Sequence, residues 1–213
     1  MKSIQRRVRM KTRFSFAKLP LEGRHVLLGV ALWCLALGAQ AHPGHLGGSG
    51  VVSGFMHPLS GLDHLLAMLA VGAYAALRGG RTRWLAPLLF LGVLLAGSVA
   101  GHLQWALPLV EAGIAASVLV LGLMMIVGRQ MPAVPGYALI AVFALCHGFA
   151  HGMEAPGGNA FELYCAGFAV SCLMLQAIGF CAVRLLGARH ILWAHGSGAL
   201  VAAAGLMMLV RAV

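Results

Sequence analysis

Residues 52–77 read "VSGFMHPLSGLDHLLAMLAVGAYAAL". Apart from His57, Asp63 and His64, the run is apolar or small, with Ser53, Ser60 and Tyr74 as its other polar side chains. Its length suits a helix crossing bilayer hydrocarbon, which is roughly 30 Å thick and takes about 20 apolar residues. An ionisable side chain at that depth costs about 2.5–3.5 kcal/mol on insertion scales, so three in one span demand partners or a function.

The rest of the chain also points to lipid as its solvent. It is 61% hydrophobic and 9% charged, where a soluble domain carries about a quarter charged residues, and its mean hydropathy is +0.90. A net charge of +10 would suit a nucleic-acid partner, but eight of the 15 basic residues precede position 25: Lys2, Arg6, Arg7, Arg9, Lys11, Arg13, Lys18 and Arg24. Seven arginines and four acids remain beyond position 41. The basicity is therefore a targeting feature, and nucleic acid is excluded as a partner.

The basic segment leads into "VLLGVALWCLALGAQA" and ends on the small-x-small pattern Ala39-Gln40-Ala41. Residues 1–41 thus read as a cleavable signal peptide, the alternative being an uncleaved anchor helix. Cleavage after Ala41 would leave a histidine-containing, periplasmic N-terminus over 42–51, beginning His42-Pro43-Gly44-His45, ahead of a transmembrane domain over 52–213. The later cysteines, Cys146, Cys165, Cys172 and Cys181, form no CxxC pair and read as packing residues.

Glycine, proline and arginine punctuate the chain into six apolar stretches, about 52–77, 84–101, 107–127, 136–153, 161–186 and 191–210. The expected fold class is all-α: a polytopic membrane protein with six transmembrane helices. Arg78, Arg81, Arg83, Arg129, Arg184 and Arg189 then fall in loops on one side, the cytoplasm by the positive-inside rule, and only Arg211 disagrees. Gly97 with Gly101, Gly148 with Gly152, and Gly167 with Ser171 have the spacing that lets membrane helices approach closely.

A second span carries the same chemistry as the first. In Cys146-His147-Gly148-Phe149-Ala150-His151-Gly152-Met153-Glu154, the two histidines and Glu154 fall within about 60° of one another on a helix. On one continuous helix, His57 and His64 also share a face, with Asp63 one step round; Pro58 would sit in a first turn or break the helix. Imidazole with carboxylate suits a borderline divalent cation such as nickel, cobalt, copper or zinc, with Asp63 or Glu154 free to hold a histidine's second nitrogen. The bland alternative is hydrogen bonding between helices. Because the first span enters as the fourth leaves, His57 should lie level with His151 and Glu154, and Asp63 and His64 deeper, near His147. Two tiers would make a path rather than a cage, and one motif per three-helix half leaves room for a 3+3 arrangement of inverted halves.

The HxxxxxDH pattern of His57, Asp63 and His64, together with "HGFAHGME" from His147 to Glu154, resembles the HupE/UreJ family of nickel permeases. The likeness covers the mature chain from its histidine-led start through both motifs. It implies that His57, Asp63, His64, His147, His151 and Glu154 serve metal passage, that His42 and His45 help collect the ion, and that the chain supplies hydrogenase or urease maturation. Cys146 departs from the aromatic residue expected before His147.

His102 and Glu162 read as interfacial residues at the outer ends of their spans, and His195 as a packing histidine near the cytoplasm. Glu111 lacks a nearby partner in sequence, and Met56, Met68, Met124 and Met125 read as packing or lipid-facing. The expectation is an inner-membrane permease for Ni²⁺, with Co²⁺ as alternative cargo. Ni²⁺ is substrate rather than resident cofactor, no organic cofactor is expected, and hydrogenase or urease metal-delivery proteins are indirect partners. A homo-oligomer is left open. Competing readings are an intramembrane metalloenzyme, with Glu154 as base, and a metal sensor or assembly factor.

Overall fold

The computed structural model describes residues 50–158, 160–185 and 190–212, and these form helices joined by short turns, with no strand among them. The helices are α1 (Val51–Ser60), α2 (Leu62–Arg78), α3 (Thr82–His102), α4 (Val110–Val127), α5 (Ala133–Glu154), α6 (Ala160–Leu185) and α7 (His190–Ala212). A short 3-10 turn, Gly128–Gln130, follows α4. The signal segment 1–41 and the N-terminal histidines His42 and His45 lie outside the described residues.

Among the described residues, five helices are long and apolar enough to cross a membrane: α3, α4, α5, α6 and Leu192–Ala212 of α7. The stretch 52–77, expected as one span with Pro58 in its first turn or at a break, is instead a pair of helices, α1 and α2, bent by 88° at Gly61; counted as one broken span, the pair brings the crossings up to six. Pro58 neither opens a helix nor marks the break. It lies inside α1, where it removes one backbone donor, and the chain turns three residues later. Ser60 Oγ donates to the His57 carbonyl at 2.7 Å, satisfying an acceptor that the end of α1 leaves orphaned. Gly61 is extended (φ −102°, ψ 125°), and its carbonyl accepts from Leu65 N–H at 3.0 Å to open α2.

Nearly every residue of α2 from Leu65 to Ala76 is buried, the pattern of a helix enclosed by others. Met68, Val71 and Tyr74 of α2 meet Phe90 and Leu94 of α3, Leu121 of α4, and Ile140 and Ala144 of α5 in one core. Leu88, Val142, Ile178 and Met207 point outward and are exposed. At the far end of α2, Arg78 donates to the Met131 carbonyl, and Thr82 Oγ1 hydrogen-bonds Tyr137 Oη at 2.9 Å, tying α2, α3 and α5 together.

Backbones touch where glycine permits. A methyl group on Gly148 would lie 2.0 Å from the Leu94 carbonyl oxygen, and one on Gly152 equally close to that of Ser98. In return, Gly97 and Gly101 of α3 face the Leu145 and Phe149 carbonyls. The matched steps of four residues make α3 and α5 parallel. Gly122 against Gly198 and Ala202, with Gly205 against Leu119, make α4 and α7 antiparallel. Gly54 and Gly72 meet Tyr164 and Gln176 of α6, while Gly167 and Gly179 meet Val51 and Leu69. Gly148→Ala is expected to cost about 1–3 kcal/mol through overpacking. Its melting temperature in detergent should fall clearly below wild type, and an unchanged value would contradict this contact.

Candidate metal centre

The break at Gly61 turns two short motifs into one site. It swings His57, at the end of α1, back over the start of α2, so the His57 and His64 rings lie 6.4 Å apart despite belonging to different helices. Asp63 falls in the first turn of α2, where the helix dipole favours an anion. This replaces the mid-helix position expected for it. On α5, regular helical spacing puts His147, His151 and Glu154 on one stripe facing that break.

Two groups of donors result. The outer one joins His57, His151 and Glu154, and the inner one joins His64, His147 and His151; within each, donor atoms lie within 4.8 Å of one another. His57 Nε2 is 3.1 Å from Glu154 Oε2, and the His57 and His151 rings are 4.6 Å apart. Below them, the His64 ring is 4.1 Å from that of His151 and 4.7 Å from that of His147. The Glu154 side chain is 63% exposed, whereas His147 and His151 are buried, so the outer group opens to solvent and the inner one does not. Among the described residues, His151 alone belongs to both groups.

Neighbouring groups set which nitrogen each imidazole presents. His64 Nδ1 donates to Asp63 Oδ1 at 2.6 Å, which leaves Nε2 with its lone pair free, buried and without a partner. Asp63 thus stands behind His64 and joins neither donor group. Ser117 of α4 does the same for His147. Its hydroxyl donates to the Ile114 carbonyl at 2.6 Å, so it accepts from His147 Nε2–H at 2.7 Å, and the buried Nδ1 is left with its lone pair free for a cation. Both nitrogens of His151 are buried without a partner. A buried polar atom left unpaired costs on the order of 1–3 kcal/mol, and His64 Nε2, His147 Nδ1 and one nitrogen of His151, drawn together in the inner group, are what a cation would satisfy. Nitrogen ligands about 2.1 Å from a divalent ion sit about 3 Å apart at right angles, so modest ring rotations close the inner group round one ion.

The walls are aromatic. Phe168 of α6 lies 4.1 Å from the His151 ring, Tyr164 lies 5.7 Å from His57, and Phe90 of α3 lies 6.2 Å from His147. They hold water away from the imidazoles. At the bend, a methyl group on Gly61 would lie 2.8 Å from Asp63 Oδ1 and 3.0 Å from His64 Nδ1, so glycine here makes room for that pair. Ser117→Ala, which frees His147 to adopt either tautomer, is expected to weaken Ni²⁺ binding about tenfold with the fold retained. Calorimetric titration in detergent measures it, and wild-type affinity would refute the orienting role.

Ser117, Tyr164, Phe168 and Gly61 were not singled out by sequence. A hydroxyl in the apolar α4 was the one available signal, and Tyr164 and Phe168 look like ordinary core residues until α6 is placed. His102 stacks on Phe161 at 4.0 Å, and Glu111 and His195 are exposed; none of the three enters a donor group. Cys146 sits beside α4, where a methyl group on Gly113 would come within 2.7 Å of its sulfur, so a small side chain fits this position.

Comparison with known proteins agrees with the geometry. Residues 30–208 match the family described as HupE / UreJ protein. The chain is also similar to Protein HupE of Rhizobium leguminosarum bv. viciae, 38% identical over 183 residues that cover 84% of this chain and 95% of that one. No solved structure matches the chain. With both motifs inside the matched region and nearly the whole relative covered, this chain belongs to the HupE/UreJ family.

Proposed function

We propose that this protein is an inner-membrane permease that takes up Ni²⁺, with Co²⁺ as the alternative cargo, through the two stacked donor groups. The observation that carries the reading is that His151 belongs to both groups and has neither nitrogen engaged. An ion entering at the half-exposed level of His57 and Glu154 loses part of its water to them and to one nitrogen of His151. It then passes to His64 and His147 around the same imidazole. Three donors per level replace hydration only in part, as an ion that must leave again requires.

The arginines at the α2–α3 turn and at the end of α6 support a cytoplasmic inner side, with His57 and Glu154 facing the periplasm. His42 and His45, if a signal peptide is removed after Ala41, would stand at that outer mouth. The pairing of helices supports inverted halves: the α1–α2 span packs on the fifth span as the second packs on the fourth, and the third packs on the sixth. Delivery to hydrogenase or urease maturation is what the family resemblance implies for the released ion.

Radiolabelled Ni²⁺ flux into proteoliposomes holding the purified protein tests this. Accumulation inside, competed by Co²⁺, is the expected result. Binding without accumulation would favour a sensor or assembly factor, and turnover of a substrate without accumulation would favour a metalloenzyme.

A further inference from the structure

On α6, Tyr164, Phe168, Cys172 and Gln176 recur every four residues along one face. The first two stand against His57 and His151. The next two lie one and two turns further along, away from the outer mouth. On α2, Met68 likewise lies one turn past His64, a rise of about 6 Å. Here the two helices bring together Met68, Cys172 and Gln176, which are 0%, 0% and 2% exposed.

Cys172 Sγ lies 3.2 Å from Met68 Sδ, and Gln176 Nε2 lies 3.3 Å from Cys172 Sγ. Gln176 Oε1 is buried with no partner. A carbonyl oxygen stripped of water and left unpaired needs an explanation, and a half-turn of the amide, whose Nε2 now faces Cys172, would bring Oε1 to the sulfurs. Two sulfurs bonded at right angles to one divalent ion at about 2.3 Å would be about 3.3 Å apart, close to the spacing found. Thioether, amide oxygen and a thiol that keeps its proton are all neutral, weak donors. They would hold a borderline cation more loosely than three imidazoles, and sulfur disfavours the hard cations magnesium and calcium.

We propose that Met68, Cys172 and Gln176 form a second position for the transported ion, a soft-donor station that receives it from His64, His147 and His151 on its way inward. This rests on the permease reading. The station discharges the histidine group so that it can be refilled from outside. It would therefore govern the rate of passage and leave the affinity at the histidines alone.

The test uses the full chain in proteoliposomes with Ni²⁺ as the probe, and three replacements that keep bulk while removing donors: Met68→Leu, Cys172→Val and Gln176→Leu. The expected result for each is a maximum uptake rate about tenfold lower, a barrier raised by about 1.4 kcal/mol. Equilibrium binding of the first Ni²⁺ should be unchanged, and Cys172→Met, which restores a soft donor, should recover rate over Cys172→Val. Wild-type rates in all three would mean a packing pair only and overturn the proposal. So would loss of Ni²⁺ binding along with uptake, which would make these residues supports of the histidine group. Wild-type protein that binds Ni²⁺ yet passes none would instead overturn the permease reading itself.

Discussion

His151→Ala is expected to reduce Ni²⁺ uptake at limiting metal by more than about 100-fold, the largest effect of any single replacement in the site. Loss of an orienting partner alone typically costs 10–100-fold in metal binding, and this change removes a donor from both levels at once. The outer group is left with His57 and Glu154, the inner with His64 and His147, and the ion must cross the gap with no common ligand. His57→Ala should be milder, about tenfold, because the buried inner group keeps all three donors. His151→Gln, which nearly preserves volume, separates lost ligation from a lost core side chain. Uptake normalised to protein in the membrane measures all three. Near-normal transport by both His151 variants would remove the hand-off from the account.

Asp63→Asn is expected to lower Ni²⁺ affinity and uptake by 10–100-fold, although the residue joins neither donor group, because carboxylates behind metal-binding histidines have effects of this size. The carboxylate accepts both the backbone N–H of His64, at 2.7 Å, and its ring Nδ1–H, at 2.6 Å. An amide of the same shape carries no charge and can turn its NH₂ toward the ring. His64 would then accept at Nδ1 and present a proton, not a lone pair, to the ion. Titration of purified variant with Ni²⁺, alongside a melting curve to establish that α2 still forms, gives the answer. Wild-type affinity would mean that Asp63 has only a structural role at the start of α2.

Much of this was legible in residue order. Six apolar stretches, the two motifs, and the placing of His57 level with His151 and Glu154 all follow from span length and the alternation of direction. The bend was not legible. A wheel drawn through residues 57–64 puts His57 and His64 on one face of a continuous helix, yet they meet because the helix breaks at Gly61 and α1 folds back by 88°. Glycine and proline warn of such a break without giving its angle, which is fixed by α1 packing against α6 through Gly54 and Gly167. Ser117, Phe168 and the Met68–Cys172 contact depend on how α4 and α6 dock, and no periodicity within a span reports that.

Imidazoles from α2 and α5 are expected to close round one cation. X-ray absorption at the nickel edge, on full-length protein loaded with one equivalent of Ni²⁺ in detergent, tests it most directly. The expected result is a nitrogen and oxygen shell with the outer-ring scattering of three imidazoles, reduced in His147→Ala and in His151→Ala. A shell of oxygen alone, or one indifferent to both replacements, would contradict it.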